Sequence, residues 1–311
     1  MSLAAPVLTV SAASIEFQNP VLLAAGTAAY GREVNGVMNL DALGGLVTKA
    51  VSPEVRKGAP SPRVAEFEGG MINAVGLANP GLDAVKREDL PWLSRNLRSA
   101  RVIVNVVGNA VEDFATVVEA LDDVARVDAF ELNVSCPNTR AGGMEFGADR
   151  ETLVALVKLA RAATRRPLFV KLSPVLESVA DTARAAVDAG ADGITVINTI
   201  PGLVIDTELR RPALGFGSGG VSGTGMLPVG VLAVWKVSRA VRVPIIGVGG
   251  VTTATDAVQY MMAGASLVAM GTAALRDPRA PERLVSEMRT WFAKHGVGSV
   301  DEIVGSLEWP S

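Results

Sequence analysis

The sequence predicts an α/β chain folded as a (β/α)8 TIM barrel, one domain over residues 1–311, with an N-terminal hairpin and long loops inserted on the active-site face. Three observations carry this expectation. Eight short apolar, β-rich runs recur along nearly the whole length. Stretches with helical periodicity separate most of them, and that alternation builds a parallel sheet covered by helices. Glycine clusters follow the seventh and eighth runs, where barrels of this kind form a phosphate site.

Strands are expected at 21–25, 45–48, 101–107, 129–134, 168–172, 193–198, 244–248 and 267–270. Most are continuous apolar runs without alternation, the pattern of parallel strands buried on both faces. Helices are expected at 111–124, 150–164, 178–189, 228–241, 253–263 and 281–295, where apolar residues recur at helical spacing. Three stretches depart from the repeat. Residues 7–17 look like a hairpin at the barrel floor. Residues 52–79, with Pro53, Pro60, Pro62, Gly58, Gly69 and Gly70, extend the loop after the second strand. The glycine-rich stretch 201–225 follows the sixth strand, and loops after strands build the active-site face. Long loops in a compact domain are usually functional.

Composition excludes several classes. Apolar residues make up 49% and charged ones 20%, which suits a large buried core. The longest uncharged apolar runs, 20–29 and 266–275, fall far short of the roughly 18 residues of a membrane span. The earliest basic residue is Arg32, so neither a signal peptide nor an anchor is expected. A net charge of −3 leaves no basic footprint for nucleic acid. A single cysteine rules out an internal disulfide and an iron–sulfur cluster held by this chain alone. The single histidine, His295, reads as a charge at a helix C-terminus, and no metal site is expected. A reducing, cytoplasmic setting fits all of this.

The residues with chemical potential gather at strand ends. Cys136 lies in Asn133-Val134-Ser135-Cys136-Pro137-Asn138, just past the fourth strand. It is a candidate base or nucleophile there, or a buried structural thiol. Residues 139–149, with Gly142, Gly143 and Gly147, read as a lid carrying that cysteine. Lys49 follows Leu46-Val47-Thr48 at a strand end and Lys171 lies inside Phe169-Val170-Lys171-Leu172, where an ammonium is costly unless it meets an anion or polar ligand. Either could form a Schiff base or stabilise negative charge. Asn73, Asn105, Asn133, Asn138 and Asn198 fall at the same level, a set suited to an uncharged polar heterocycle. Gly249-Gly250 and Gly271-Thr272 can bring backbone N–H groups to a phosphate. No G-x-G-x-x-G joins a strand to a helix, which argues against NAD bound in Rossmann fashion.

Four motifs together resemble the dihydroorotate dehydrogenases: 133–138, 71–81 (Met-Ile-Asn-Ala-Val-Gly-Leu-Ala-Asn-Pro-Gly), 170–174 (Val-Lys-Leu-Ser-Pro) and 246–250 (Ile-Gly-Val-Gly-Gly). The resemblance spans essentially the whole chain. It implies an FMN-containing (β/α)8 barrel that oxidises dihydroorotate to orotate in pyrimidine biosynthesis. Cys136 would take a proton from C5 while a hydride leaves C6 for the flavin. Cysteine in that role marks the soluble class 1 enzymes, the membrane-associated class 2 using serine and an N-terminal extension. Residues 77–81, 197–199 and 219–223 are similar to the NAD-linked class 1B, which implies a partner subunit carrying FAD and a [2Fe–2S] cluster, in a homodimer or heterotetramer.

By the same resemblance, Lys49, Asn73, Val75, Gly76, Leu77, Asn133, Asn138, Asn198 and Thr199 would hold the substrate. Ala25, Gly26, Lys49, Ala50, Asn105, Asn133, Lys171, Ile197, Ser222, Gly223, Gly249, Gly250, Gly271 and Thr272 would hold FMN. The family's usual Ala-Ser-Gly after the first strand reads Ala24-Ala25-Gly26 here. Other readings are a fumarate-linked class 1A enzyme, a related FMN dihydropyrimidine oxidoreductase, and a non-redox barrel lyase using Lys171 as a Schiff base.

Overall fold

The computed structural model describes residues 7–135, 137–138 and 144–310, with Pro137, Asn138 and Met144 given by backbone alone. Eight strands form the barrel: β1 Val21–Leu23, β2 Gly45–Val47, β3 Arg101–Val106, β4 Ala129–Asn133, β5 Leu168–Leu172, β6 Gly193–Val196, β7 Ile245–Val248 and β8 Leu267–Met270. Each pairs in parallel with its sequence neighbour, and β8 returns to β1 through Val268 and Val21. All eight expected strands form in the expected order. β4 and β6 stop short of the expected 134 and 198, at Asn133 and Val196, because the chain leaves the ladder there and turns across the mouth.

Packing inside the barrel is stepwise. Phe169 on β5 is fully buried beside Gly193 on β6, its register partner. A Cβ on Gly193 would lie 2.3 Å from the Phe169 ring, so the large side chain fills the space the glycine leaves.

The helices are α1 Leu90–Asn96, α2 Val111–Leu121, α3 Arg150–Ala162, α4 Val179–Asp188, α5 Leu227–Ser238, α6 Ala254–Met262, α7 Thr272–Arg276 and α8 Ala280–His295. Their starts follow local chemistry. Asp149, Ser178 and Thr253 each accept a hydrogen bond from a backbone N–H in the first turn of α3, α4 and α6, caps worth about 1 kcal/mol apiece. His295 sits at the end of α8, its Nδ1 2.7 Å from the Trp291 carbonyl, followed by Gly296 at φ 69°.

Two helices were not expected from the sequence. α1 follows a helical turn at Leu82–Ala84 and a π-turn at Val85–Asp89. The buried residues Val85 and Leu90 are therefore five apart, a spacing that a 3.6-residue period does not register, and Pro91 adds a further break. α7 has only five residues, too few to show a period.

The hairpin Val10–Ala12 with Ile15–Phe17 closes the floor as expected: Phe17 is fully buried, and the Glu16 carbonyl accepts from Arg101 Nε at the start of β3. Asp41 organises the same end. Its Oδ1 accepts from the backbone N–H groups of Arg98, Ser99 and Ala100 at 3.0, 2.8 and 2.9 Å. Burial pushes this carboxyl up, but the three N–H donors outweigh it and hold the value below the ordinary 3.8. A carboxyl with a depressed folded value adds stability that is complete above the unfolded value and disappears as pH falls through the folded one. Asp41→Ala is expected to cost roughly 2 kcal/mol in thermal or urea unfolding at neutral pH. The difference from the parent should narrow below pH 3.8, and an equal difference at pH 7 and in acid would contradict this account.

The two long inserts are not plain loops. Val64–Phe67, Gly70–Asn73, Gly219–Gly223 and Ile200–Gly202 assemble one antiparallel sheet at the mouth, with Gly219–Gly223 pairing both Gly70–Asn73 and Ile200–Gly202. Glycine is depleted in strands, so a run such as Gly-Gly-Val-Ser-Gly reads as loop until a partner strand is in place. Among the described residues, no helix is long and apolar enough to cross a membrane.

Candidate active site at the barrel mouth

The C-terminal ends of β4, β5 and β6 bring the polar residues together. Lys171 on β5 stands level with Asn133 on β4 and Thr195 on β6. It is 7% exposed, and its Nζ lies 4.0 Å from Glu131 Oε1. The same oxygen accepts from Asn105 Nδ2 on β3 at 2.7 Å, and the Asn105 backbone N–H donates to Thr48 Oγ1. Asn105 thus spends its amide on Glu131. Above this layer Asn198 Nδ2 donates to Asn133 Oδ1 at 3.3 Å, while Asn198 Oδ1 accepts from Thr199 N. Thr195 Oγ1 and Ser135 Oγ are buried without a hydrogen-bond partner among the described residues.

The insert sheet supplies a second wall. Asn73 Nδ2 donates to the Gly220 carbonyl at 3.2 Å, and a Cβ on Gly220 would meet Thr199 Oγ1. Val75, Gly76 and Leu77 form the turn that follows, held to the first insert by Ala59 N donating to the Val75 carbonyl. Lys49, half-buried just past β2, donates its backbone N–H to the Ala29 carbonyl. The next residue, Ala50, is fixed by the Tyr30 hydroxyl, which donates to its carbonyl at 2.8 Å.

The glycine clusters meet on the third side. Thr272 Oγ1 donates to Ser222 Oγ at 2.8 Å, joining the start of α7 to the insert sheet. Gly271 faces Ala24 and Thr27 in the turn after β1, beside half-buried Ala25 and exposed Gly26. Gly249 faces Ile197 and Met226. Gly250 has φ +72°, and a Cβ there would lie 2.5 Å from the Leu227 backbone nitrogen, so both its conformation and its surroundings require glycine. The Tyr260 hydroxyl donates to the Gly249 carbonyl at 2.7 Å; burial, with Asp256 nearby, pushes that phenol well above its ordinary range and keeps it a donor.

Cys136 and residues 139–143 of the expected lid lie outside the described residues. The flanking backbone is described: Pro137–Asn138 pairs with Met144–Glu145. Burial raises the Glu145 carboxyl above its ordinary value, opposed by a hydrogen bond with Ser173.

Three residues of this mouth were missed by sequence reasoning. Glu131 carried a readable signal, a lone acid in Ala-Phe-Glu-Leu-Asn, the same anomaly that singled out Lys171. Tyr30 and Tyr260 carried none, because each acts through one hydroxyl on a backbone carbonyl distant in sequence.

A parallel (β/α)8 barrel with lysine and asparagines at its strand ends, and glycine turns after β7 and β8, is of the class of barrels that carry their active site on the C-terminal face. The dihydroorotate dehydrogenase family profile matches residues 7–292, and the chain belongs to that family. It is 44% identical to a dihydroorotate dehydrogenase B (NAD(+)) catalytic subunit from Geotalea uraniireducens, over 97% of this chain and 98% of the relative. It is 43% identical to the protein of the same name from Geobacter sulfurreducens, over 97% and 99%. Among solved structures, DHODH from Eimeria tenella in complex with ferulenol superposes with a TM-score of 0.82 at 25% identity, covering 96% of this chain and 88% of that one.

Proposed function

We propose that this chain is the catalytic subunit of an NAD-linked dihydroorotate dehydrogenase, oxidising dihydroorotate to orotate in pyrimidine biosynthesis with bound FMN. The observation that carries the reading is the layered mouth. Lys171 stands level with Asn133, which meets Asn198 across the mouth, and Ser222 meets Thr272 at the start of α7. These residues fit FMN. At Gly250, with φ +72°, a Cβ would meet the Leu227 backbone, so the turn after β7 is built for glycine, and its backbone N–H groups, with those of Ser222, Gly223, Gly249, Gly271 and Thr272, are the groups proposed to hold a phosphate. The orphan Thr195 hydroxyl, Lys171 and the uncharged amides suit a polar ring, with the buried acid Glu131 paired to Lys171 deeper in the barrel. Alanine at position 25 leaves the backbone groups of the β1 turn in place, so binding there runs through the main chain.

FMN, when bound, accepts the hydride that leaves C6 of the substrate. The chain's own residues do the rest. Cys136 receives the C5 proton. Asn73, Asn133, Asn138, Asn198 and Thr199 hold the amides and carboxylate, with backbone at Val75, Gly76 and Leu77 and the Lys49 ammonium beside them. Ala25, Gly26, Ala50, Asn105 and Ile197 line the cofactor side with Lys171, whose charge stabilises the electron-rich ring.

The relatives' name, an NAD(+)-linked catalytic subunit, favours a separate electron-transfer partner; the family resemblance adds FAD and a [2Fe–2S] cluster on that partner, in a homodimer or heterotetramer. The one cysteine of this chain cannot ligate such a cluster. Anaerobic mixing of the purified chain with dihydroorotate should bleach its flavin absorbance. The isolated chain should turn over slowly with NAD⁺ and fast only once the partner is added. No bleaching would remove the dehydrogenase reading, and rapid turnover of the chain alone with fumarate would replace the NAD-linked reading by the class 1A one.

A further inference from the structure

Glu131, the acid paired with Lys171 beneath the site, has no role in the chemistry above. Glu131 is 1% exposed and Lys171 7%, both inside the barrel. A buried ion pair is weak evidence for stability, since well-packed apolar residues of similar volume serve a core as well or better. The geometry of this one is directional. Lys171 stands level with Asn133, and Glu131 is two residues back along β4, away from the mouth. The residue that carries the carboxylate is therefore set deeper in the barrel than the one that carries the ammonium, on the side away from the mouth. Asn105 donates to Oε1 at 2.7 Å, on the oxygen that also faces the ammonium at 4.0 Å. Oε2 is buried with no partner among the described residues, so the carboxylate retains capacity to draw the ammonium down. The strands packed against Lys171 add Asn133 and Thr195, which carry no charge, and among the described residues Lys49 is a second lysine at this end of the barrel, just past β2.

Resting on the FMN reading above, we infer that Glu131 is a positioning residue for Lys171, holding the ammonium back from the ring and so lowering the midpoint potential of the bound flavin. Asn105 sets how firmly, because its amide competes with the ammonium for Oε1. The carboxylate acts through the lysine and touches neither substrate nor cofactor.

Potentiometric titration of the FMN-loaded protein at one pH tests this, with the parent, Glu131→Gln, Lys171→Met and the double variant. Glutamine keeps an acceptor oxygen for Asn105 and removes the charge. Glu131→Gln should raise the midpoint potential by about 30 mV, a tenfold change in a two-electron equilibrium. Lys171→Met should lower it, and in that background Glu131→Gln should shift it much less. Asn105→Ala, which leaves Oε1 to the ammonium, should lower it and gives a second reading should Glu131→Gln not fold. An unchanged or lower potential in Glu131→Gln overturns the inference. So does an equal upward shift with Lys171 absent, because the carboxylate would then act on the ring directly. A parent protein that takes up no FMN overturns the functional reading instead, and the visible spectrum tells the two failures apart.

Discussion

Cys136→Ala should reduce its flavin with dihydroorotate roughly 10²–10⁴-fold more slowly than the parent, the usual contribution of a positioned general base. Orotate affinity should stay close to the parent's, because the thiol is asked only to accept a proton. The amides of Asn133 and Asn198, already joined to each other in the structure, are expected to carry the binding. Loss of a group that acts only in the transition state lowers kcat while leaving ground-state binding intact. A thiol has an ordinary pKa of about 8.5, so parent activity should rise toward alkaline pH as the thiolate forms. Cys136→Ser should keep some activity displaced to still higher pH. Stopped-flow reduction across pH, alongside orotate titration, separates these effects. Full-speed reduction in Cys136→Ala would assign the proton to another group.

Gly250→Val should weaken FMN binding by roughly ten- to a hundredfold, the equivalent of 1–3 kcal/mol for a non-glycine residue forced into positive φ. The strain has two sources. Valine at φ +72° is disfavoured whatever the space, and its Cβ would stand 2.5 Å from the Leu227 backbone nitrogen and 2.9 Å from its Cα. The β7 turn must move to relieve the contact, and the neighbouring Gly249, tied to Tyr260 by its carbonyl, moves with it. Fluorescence titration of the FMN-free protein reads the affinity, and a melt without FMN reads any general loss of stability. Parent-like affinity in a folded variant would place the phosphate elsewhere.

The barrel was legible because its strands are buried on both faces. Val21-Leu22-Leu23 and Leu267-Val268-Ala269-Met270 admit no polar alternation, and such runs separated by amphipathic helices have few other solutions. The starts of α3, α4 and α6 came out close to the expected ones for a related reason: each is fixed by a cap that bonds no more than three residues along the chain. Lys171 stood out because an ammonium in Leu-Phe-Val-Lys-Leu needs a partner. Glu131 broke the same rule and was passed over.

Residue order alone determined the number and sequence of the barrel strands and the family resemblance. Only the tertiary structure decided that the two glycine-rich inserts pair into one sheet, that Ser222 meets Thr272, that Asn105 spends its amide on Glu131, and that Tyr260 holds the Gly249 carbonyl. The physical reason is range. A buried strand or a helix cap is fixed by interactions among near neighbours, so its pattern is written locally. A hydrogen bond between Ser222 and Thr272 joins residues 50 apart, and its partners are chosen by how the barrel closes.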